Sequence, residues 1–111
     1  MFINIGKKER PIKFGTNATA KFCELENLDL SGYALALFQV SKGTISGTCL
    51  RNLIYAGLYA ACKSDKLDVD FDVYDVGDWM DTLDEENANK IFNALAASLP
   101  KGEKKRKRWQ R

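Results

Sequence analysis

The residue types that could carry chemistry in this chain are few, and their spacing excludes most reactions. None of its 111 residues is histidine. Neither a Ser-His nor a Cys-His nucleophile pair can form, and no imidazole can ligate a metal. Cys23, Cys49 and Cys62 lie 26 and 13 residues apart, which leaves no CxxC pair for zinc or redox work. Neither GxGxxG nor GxxxxGK[ST] occurs. Asp68-Val69-Asp70-Phe71-Asp72 opens like a calcium loop. Its sixth position is Val73 instead of glycine, and its twelfth is Trp79 instead of glutamate. The carboxylates therefore read as helix caps and a solvated acidic face. No catalytic, metal-ligating or cofactor-binding residue is assigned, no cofactor is expected, and an enzyme is not expected.

Two groups of residues are left for binding. Tyr55, Tyr59 and Trp79 could form an aromatic surface for a partner, or pack in the core with their rims exposed. Lys104-Lys105-Arg106-Lys107-Arg108 followed by Trp109 is the sharpest local feature. Five consecutive cations and an indole could grip phosphates and stack a base. They could equally dock on an acidic protein surface, or serve as a solubilising end. No base-reading module accompanies them, so sequence-specific recognition is not expected.

Charge is divided along the chain. The net +2 hides a basic first part, with eight basic and four acidic groups in residues 1–64. An acidic middle follows, with ten acids and one lysine in 65–86. Residues 101–111 then hold seven basic side chains and one acid. Such alternation suggests electrostatic contact between parts, or with a partner. No apolar run reaches the roughly 18 residues of a membrane span. Lys7, Lys8, Glu9 and Arg10 interrupt any signal-peptide layout. The expectation is a cytosolic chain with reduced thiols that act as small apolar residues.

The elements that must position these residues are mainly helical. At 111 residues, one small domain is expected, burying roughly 65% of the surface of its unfolded form. An N-terminal β-hairpin over 2–14 pairs Phe2, Ile3 and Ile5 with Ile12 and Phe14 through Gly6-Lys7-Lys8-Glu9. Pro11 puts the second run at an edge. Helices are predicted at about 16–26, 31–40, 47–63, 71–83 and 84–98. Their caps are Thr16 or Asn17, then Ser31, Ser46, Asp70 or Asp72, and Asp84. In the first, Ala18, Phe22 and Leu25 share a face. The second is apolar nearly all round (Tyr33, Leu35, Leu37, Phe38, Val40) and is expected at the centre of the core. In the third, Ala56, Gly57, Ala60 and Ala61 leave room for another backbone. Leu53, Ile54, Leu58, Phe38 and Leu95 are expected core residues. Ile91, Leu95 and Leu99 form a stripe on the last helix, and 101–111 is expected to be a disordered basic tail.

The order of elements carries a resemblance. After the hairpin come Phe14-Gly15 and an acidic helix ending in Glu24-Leu25-Glu26. Then follow Arg51-Asn52-Leu53-Ile54-Tyr55-Ala56-Gly57-Leu58 and the acidic stretch Asp70-Phe71-Asp72-Val73-Tyr74-Asp75-Val76-Gly77-Asp78-Trp79. A last amphipathic helix precedes the charged tail. Over about residues 1–99 this resembles the small tail assembly chaperones of long-tailed bacteriophages and their prophage relatives. The resemblance implies a short, non-catalytic binding protein of the host cytoplasm. Such proteins are thought to hold the tape measure protein, a very long helical chain, soluble until tail tube subunits polymerise around it. Many are made in two forms by ribosomal frameshifting. The partners implied are the tape measure protein and the tail tube protein, with self-association left open and no membrane. Contact residues are not defined by the resemblance; Tyr55, Tyr59 and Trp79 are chosen from their chemistry. The alternative is a small nucleic-acid-binding accessory protein gripping through its basic tail.

Overall fold

A two-residue turn starts the chain. Gly6 and Lys7 both have positive φ, +66° and +68°, the combination whose twist suits a tight hairpin. Ile5 therefore faces Lys8, Asn4 faces Glu9, Ile3 faces Arg10 and Phe2 faces Pro11. The connection is shorter than the four residues expected, because Lys8 and Glu9 already belong to the second strand. In the computed structural model, which describes residues 1–98, β1 spans Phe2–Ile5 and β2 spans Lys8–Pro11. The helices are α1 Thr16–Glu26, α2 Leu30–Lys42, α3 Gly47–Ser64, α4 Val73–Asp81 and α5 Glu85–Ser98. The architecture is mainly α with an N-terminal antiparallel hairpin. Residues 99–111, with Leu99 and the Lys104–Arg108 run, lie outside the described residues.

The core is built on α3. Ten of its residues are buried, from Asn52 to Cys62, because it is covered on several sides at once. α1 lays Ala18 and Phe22 against it. The segment after β2 lays Ile12 and Phe14 against it, and α4 adds Val76. The small residues of α3 do receive another backbone, and it is the chain's own. The Lys13 amide donates to the Gly57 carbonyl at 3.1 Å. A Cβ placed on Gly57 would lie 2.5 Å from the Phe14 ring, so only glycine leaves room there.

Caps decide where the helices start. Ser46 accepts from the Cys49 amide and opens α3. Asp72 opens α4 through a reciprocal pair, its carboxylate on the Asp75 amide and the Asp75 carboxylate on its own amide. Asp84 accepts from the Asn87 amide at 2.8 Å and opens α5. Two expected caps are corrected. α1 starts after Gly15, which makes no side-chain cap bond. α2 is capped by Asp29, whose carboxylate accepts from the Gly32 amide at 3.0 Å; Ser31 is already inside the helix. α4 is shorter than the 71–83 expected, since Asp70 is engaged elsewhere and Phe71 is buried in the core.

The largest correction concerns α2. It was expected at the centre, yet only Ala36 and Leu37 are buried. Leu30 is 72% exposed, Leu35 56% and Phe38 57%. Phe38 is therefore not core, whereas Leu53, Ile54, Leu58 and Leu95 are. A helix apolar on every side carries no signal for which side is covered. Here α3 takes the centre, because its alanines and glycine admit closer neighbours than the bulky side chains of α2. Leu25 is likewise exposed, although Ala18 and Phe22 on the same helix are buried.

Candidate functional site

The three aromatic residues singled out by sequence lie on one chain of rings, joined by a fourth. Tyr59 meets Tyr55 at 5.8 Å between centroids, Tyr55 meets Phe71 at 5.7 Å, and Phe71 meets Trp79 at 5.6 Å. Tyr55 and Phe71 are buried, while Tyr59 and Trp79 are half-buried. Tyr55 thus has no ring face free for a partner. The Tyr59 ring is attended by the chain's own cations, with Lys21 Nζ 4.4 Å and Lys63 Nζ 5.5 Å from its centroid. Glu24 accepts from Lys21 at 2.9 Å and holds the ammonium above its usual pKa range.

Arg10 closes the far end of this ring chain, and sequence reasoning passed it over. It is 7% exposed. Its carbon Cζ stands 4.3 Å from the Trp79 centroid and 5.2 Å from that of Phe71. Nε donates to the Ile5 carbonyl at 3.0 Å, and a terminal nitrogen donates to Asp70 Oδ1 at 2.8 Å. Lys8 Nζ donates to the other Asp70 oxygen at 3.0 Å. The two cations hold the Asp70 carboxyl down at about pKa 2, Arg10 contributing most. A signal existed: Arg10, Ile12 and Phe14 share one strand parity, and the last two are plainly apolar. Lys8 and Arg10 also join the basic first part of the chain to its acidic middle, one of the contacts the charge pattern suggested.

This cluster is well paired, and it holds the hairpin on the helices. No buried polar side-chain atom among the described residues lacks a partner. Nor does any group of three or more acidic, cysteine or histidine side chains there stand close enough to hold a metal ion. Burial raises the pKa of the Cys23, Cys49 and Cys62 thiols, which makes them weak nucleophiles.

The open surface lies on α2. A groove of about 660 Å³ runs between the start of α1 and α2, walled by Phe14, Tyr33, Leu37 and Phe38. A second hollow of about 230 Å³ lies between α2 and α5, walled by Leu37, Val40, Phe92 and Leu95. Leu37 and Ser41 border both, so the two form one strip along α2. No charged side chain of the described residues lines either hollow. The hydroxyls of Thr19, Ser41 and Ser98 bordering them bond to their own helix backbones. What the strip offers a partner is therefore apolar area. From Leu30 to Ser41 the sequence holds no charged residue, and the exposed side of α2 carries Leu30, Leu35 and Phe38. At about 100° per residue these fall on a single side of the helix.

Comparison of the chain with protein-family models, with curated proteins and with solved structures finds no match. No helix among the described residues is long and apolar enough to cross a membrane.

Proposed function

We propose that this chain is a non-catalytic tail assembly chaperone of a long-tailed phage or prophage. In this reading it binds apolar helical stretches of the tape measure protein in the host cytoplasm, until tail tube subunits polymerise around that protein. The observation that carries the reading is the apolar groove and ridge of α2. An amphipathic helix sets its apolar stripe into such a groove through residues at i, i+3, i+4 and i+7. The order of hairpin, acidic helices and charged tail supports the same reading. The contact residues favoured by the geometry are the exposed Leu30, Leu35 and Phe38, in place of the aromatic chain around Tyr55.

The test is co-expression with the long helical protein encoded beside it. The partner should stay soluble with this chain present and sediment without it, and Phe38→Glu should abolish the difference while the body stays folded. Equal partner solubility with and without the chain rejects the reading. The run Lys104–Arg108 favours a second reading, a nucleic-acid accessory protein. Retardation of DNA that falls steeply with salt and vanishes on deleting 101–111 is its signature.

A further inference from the structure

The α2 face is both convex and concave. Leu35 and Phe38 stand out as a ridge, 56% and 57% exposed. Beside them on the same helix runs the groove walled by Phe14, Tyr33, Leu37 and Phe38 itself. A surface that carries a knob and a matching hole side by side is what a two-fold interface between identical chains requires, because each copy must supply both. We infer that two copies of this chain close on each other through this face, the Phe38 ring of each entering the α2 groove of the other.

The area suits this occupant. Leu28, Leu30, Leu35, Phe38 and Phe92 are all more than a third exposed. With an aromatic side chain presenting on the order of 200 Å² when bare, the exposed apolar area is roughly 500 Å². That is at the upper end of what a soluble monomer leaves uncovered. A stable interface of standard size buries about 800 Å² per partner, somewhat over half of it apolar, so an apolar area of this size fits one. Charge is compatible with it. Two like copies repel wherever their shared patch is charged; the stretch Leu30–Ser41 contains no charged residue, and the cation at its edge is Lys42, with Nζ 5.5 Å from the Phe38 centroid. A strongly basic partner would find no counter-charge within that stretch. Ala34, between Leu30 and Phe38 on the same side, allows the two helix backbones to approach. α2 is 13 residues long, about 20 Å, enough for a pair of helices to cross. The client helix of the proposed function and the second copy would compete for one surface, so the pair is the closed form of that site. The pairing itself does not depend on the identity of the client.

Sedimentation velocity on the full chain across the micromolar range tests this. The wild type should form a concentration-dependent dimer that persists in molar salt, since the contact is apolar and salt screens the repulsion of the two Lys42 ammonium groups beside Phe38. Phe38→Glu should weaken the dimer about 30-fold or more, as the loss of one central anchor does, with the far-UV spectrum unchanged. Leu35→Glu is the second variant, in case the first fails to fold, and should act likewise. Tyr74→Glu changes an exposed aromatic on α4 and should leave the dimer intact. A wild type that is monomeric throughout the range overturns the inference. So does a dimer indifferent to both α2 variants, and so does one that dissociates in salt, which would point to pairing of the basic tail with the acidic middle. Partner solubility is read separately in the co-expression assay, so client binding can survive the loss of the dimer and the reverse.

Discussion

The Arg10 guanidinium lies over the Trp79 indole, 4.3 Å from its centroid, while the Gly6 turn presses on the same indole: a Cβ on Gly6 would come within 2.4 Å of its ring carbons. Through this one side chain, α4 is clamped to the hairpin at two points, 69 and 73 residues away in sequence. Two strands alone are marginal in water. The hairpin is held here by the ring stack, by Ile3 and Ile5 in the core, and by Asn87, whose side chain accepts from the Asn4 amide at 2.8 Å.

The clamp predicts coupling. Trp79→Ala should cost about 2–3 kcal/mol in urea unfolding, less than for a fully buried tryptophan, because the ring is half-buried. Gly6→Ala should cost about as much, since it meets both the indole and a positive φ. In the Trp79→Ala background the Gly6→Ala cost should shrink to the backbone part, about 1–2 kcal/mol. Strict additivity in the double-mutant cycle would show that the indole does not rest on the turn.

Asp70 predicts an acid response. Its carboxyl is depressed from 3.8 to about 2 in the folded chain. A depressed folded value means the contribution is present above the unfolded pKa and is lost as pH falls from about 4 through about 2. Asp70→Asn should flatten the dependence of stability on pH in that window and leave its shape above pH 5 unchanged. A variant curve parallel to wild type across the window would remove Asp70 from the account.

Glycines on α3 should separate by their surroundings. Gly57→Ala drives a methyl into the Phe14 ring at 2.5 Å and should destabilise by about 1–3 kcal/mol. Gly47→Ala meets nothing within 4 Å and should be neutral or stabilise by up to about 1 kcal/mol. Thermal melts of the two variants decide this, and a stabilising Gly57→Ala would contradict the packing of Phe14 on α3.

Core and ridge should also part. Leu53→Ala and Leu58→Ala, at fully buried positions, should each cost about 2–5 kcal/mol. Phe38→Ala should cost under about 1 kcal/mol at concentrations where the chain is monomeric, because more than half of the side chain is then in water. Denaturant midpoints at constant m-value check the ranking. A Phe38→Ala loss as large as that at Leu58 would restore α2 to the core.

By itself the sequence determined the kinds of element and much of their order. Ser46 and Asp84 mark two helix starts and Asp70 or Asp72 a third, because a short polar side chain before an apolar periodic run has one good use, capping the free amides. Gly6 between two apolar runs is enough for a hairpin, although its two-residue length appeared only with the strand pairing. Lack of histidine and of any CxxC spacing narrowed the chemistry before any fold was known. Local signals of this kind act within a few residues and survive whatever the rest of the chain does. The tertiary structure alone decided which sides of those elements meet. Whether α2 or α3 is central depends on competition for the same neighbours, and α3 wins because Gly57 and its alanines admit the Ile12–Phe14 segment, while α2 is left with Leu35 and Phe38 in water. That Tyr55 is walled in by Phe71 depends on residues 16 positions apart, and that Arg10 is buried against Trp79 and paired with Asp70 depends on residues 60 or more positions apart. No pattern within a helical turn or a strand can encode contacts at that separation, so the groove on α2, and with it the site, became visible only once the chain was folded.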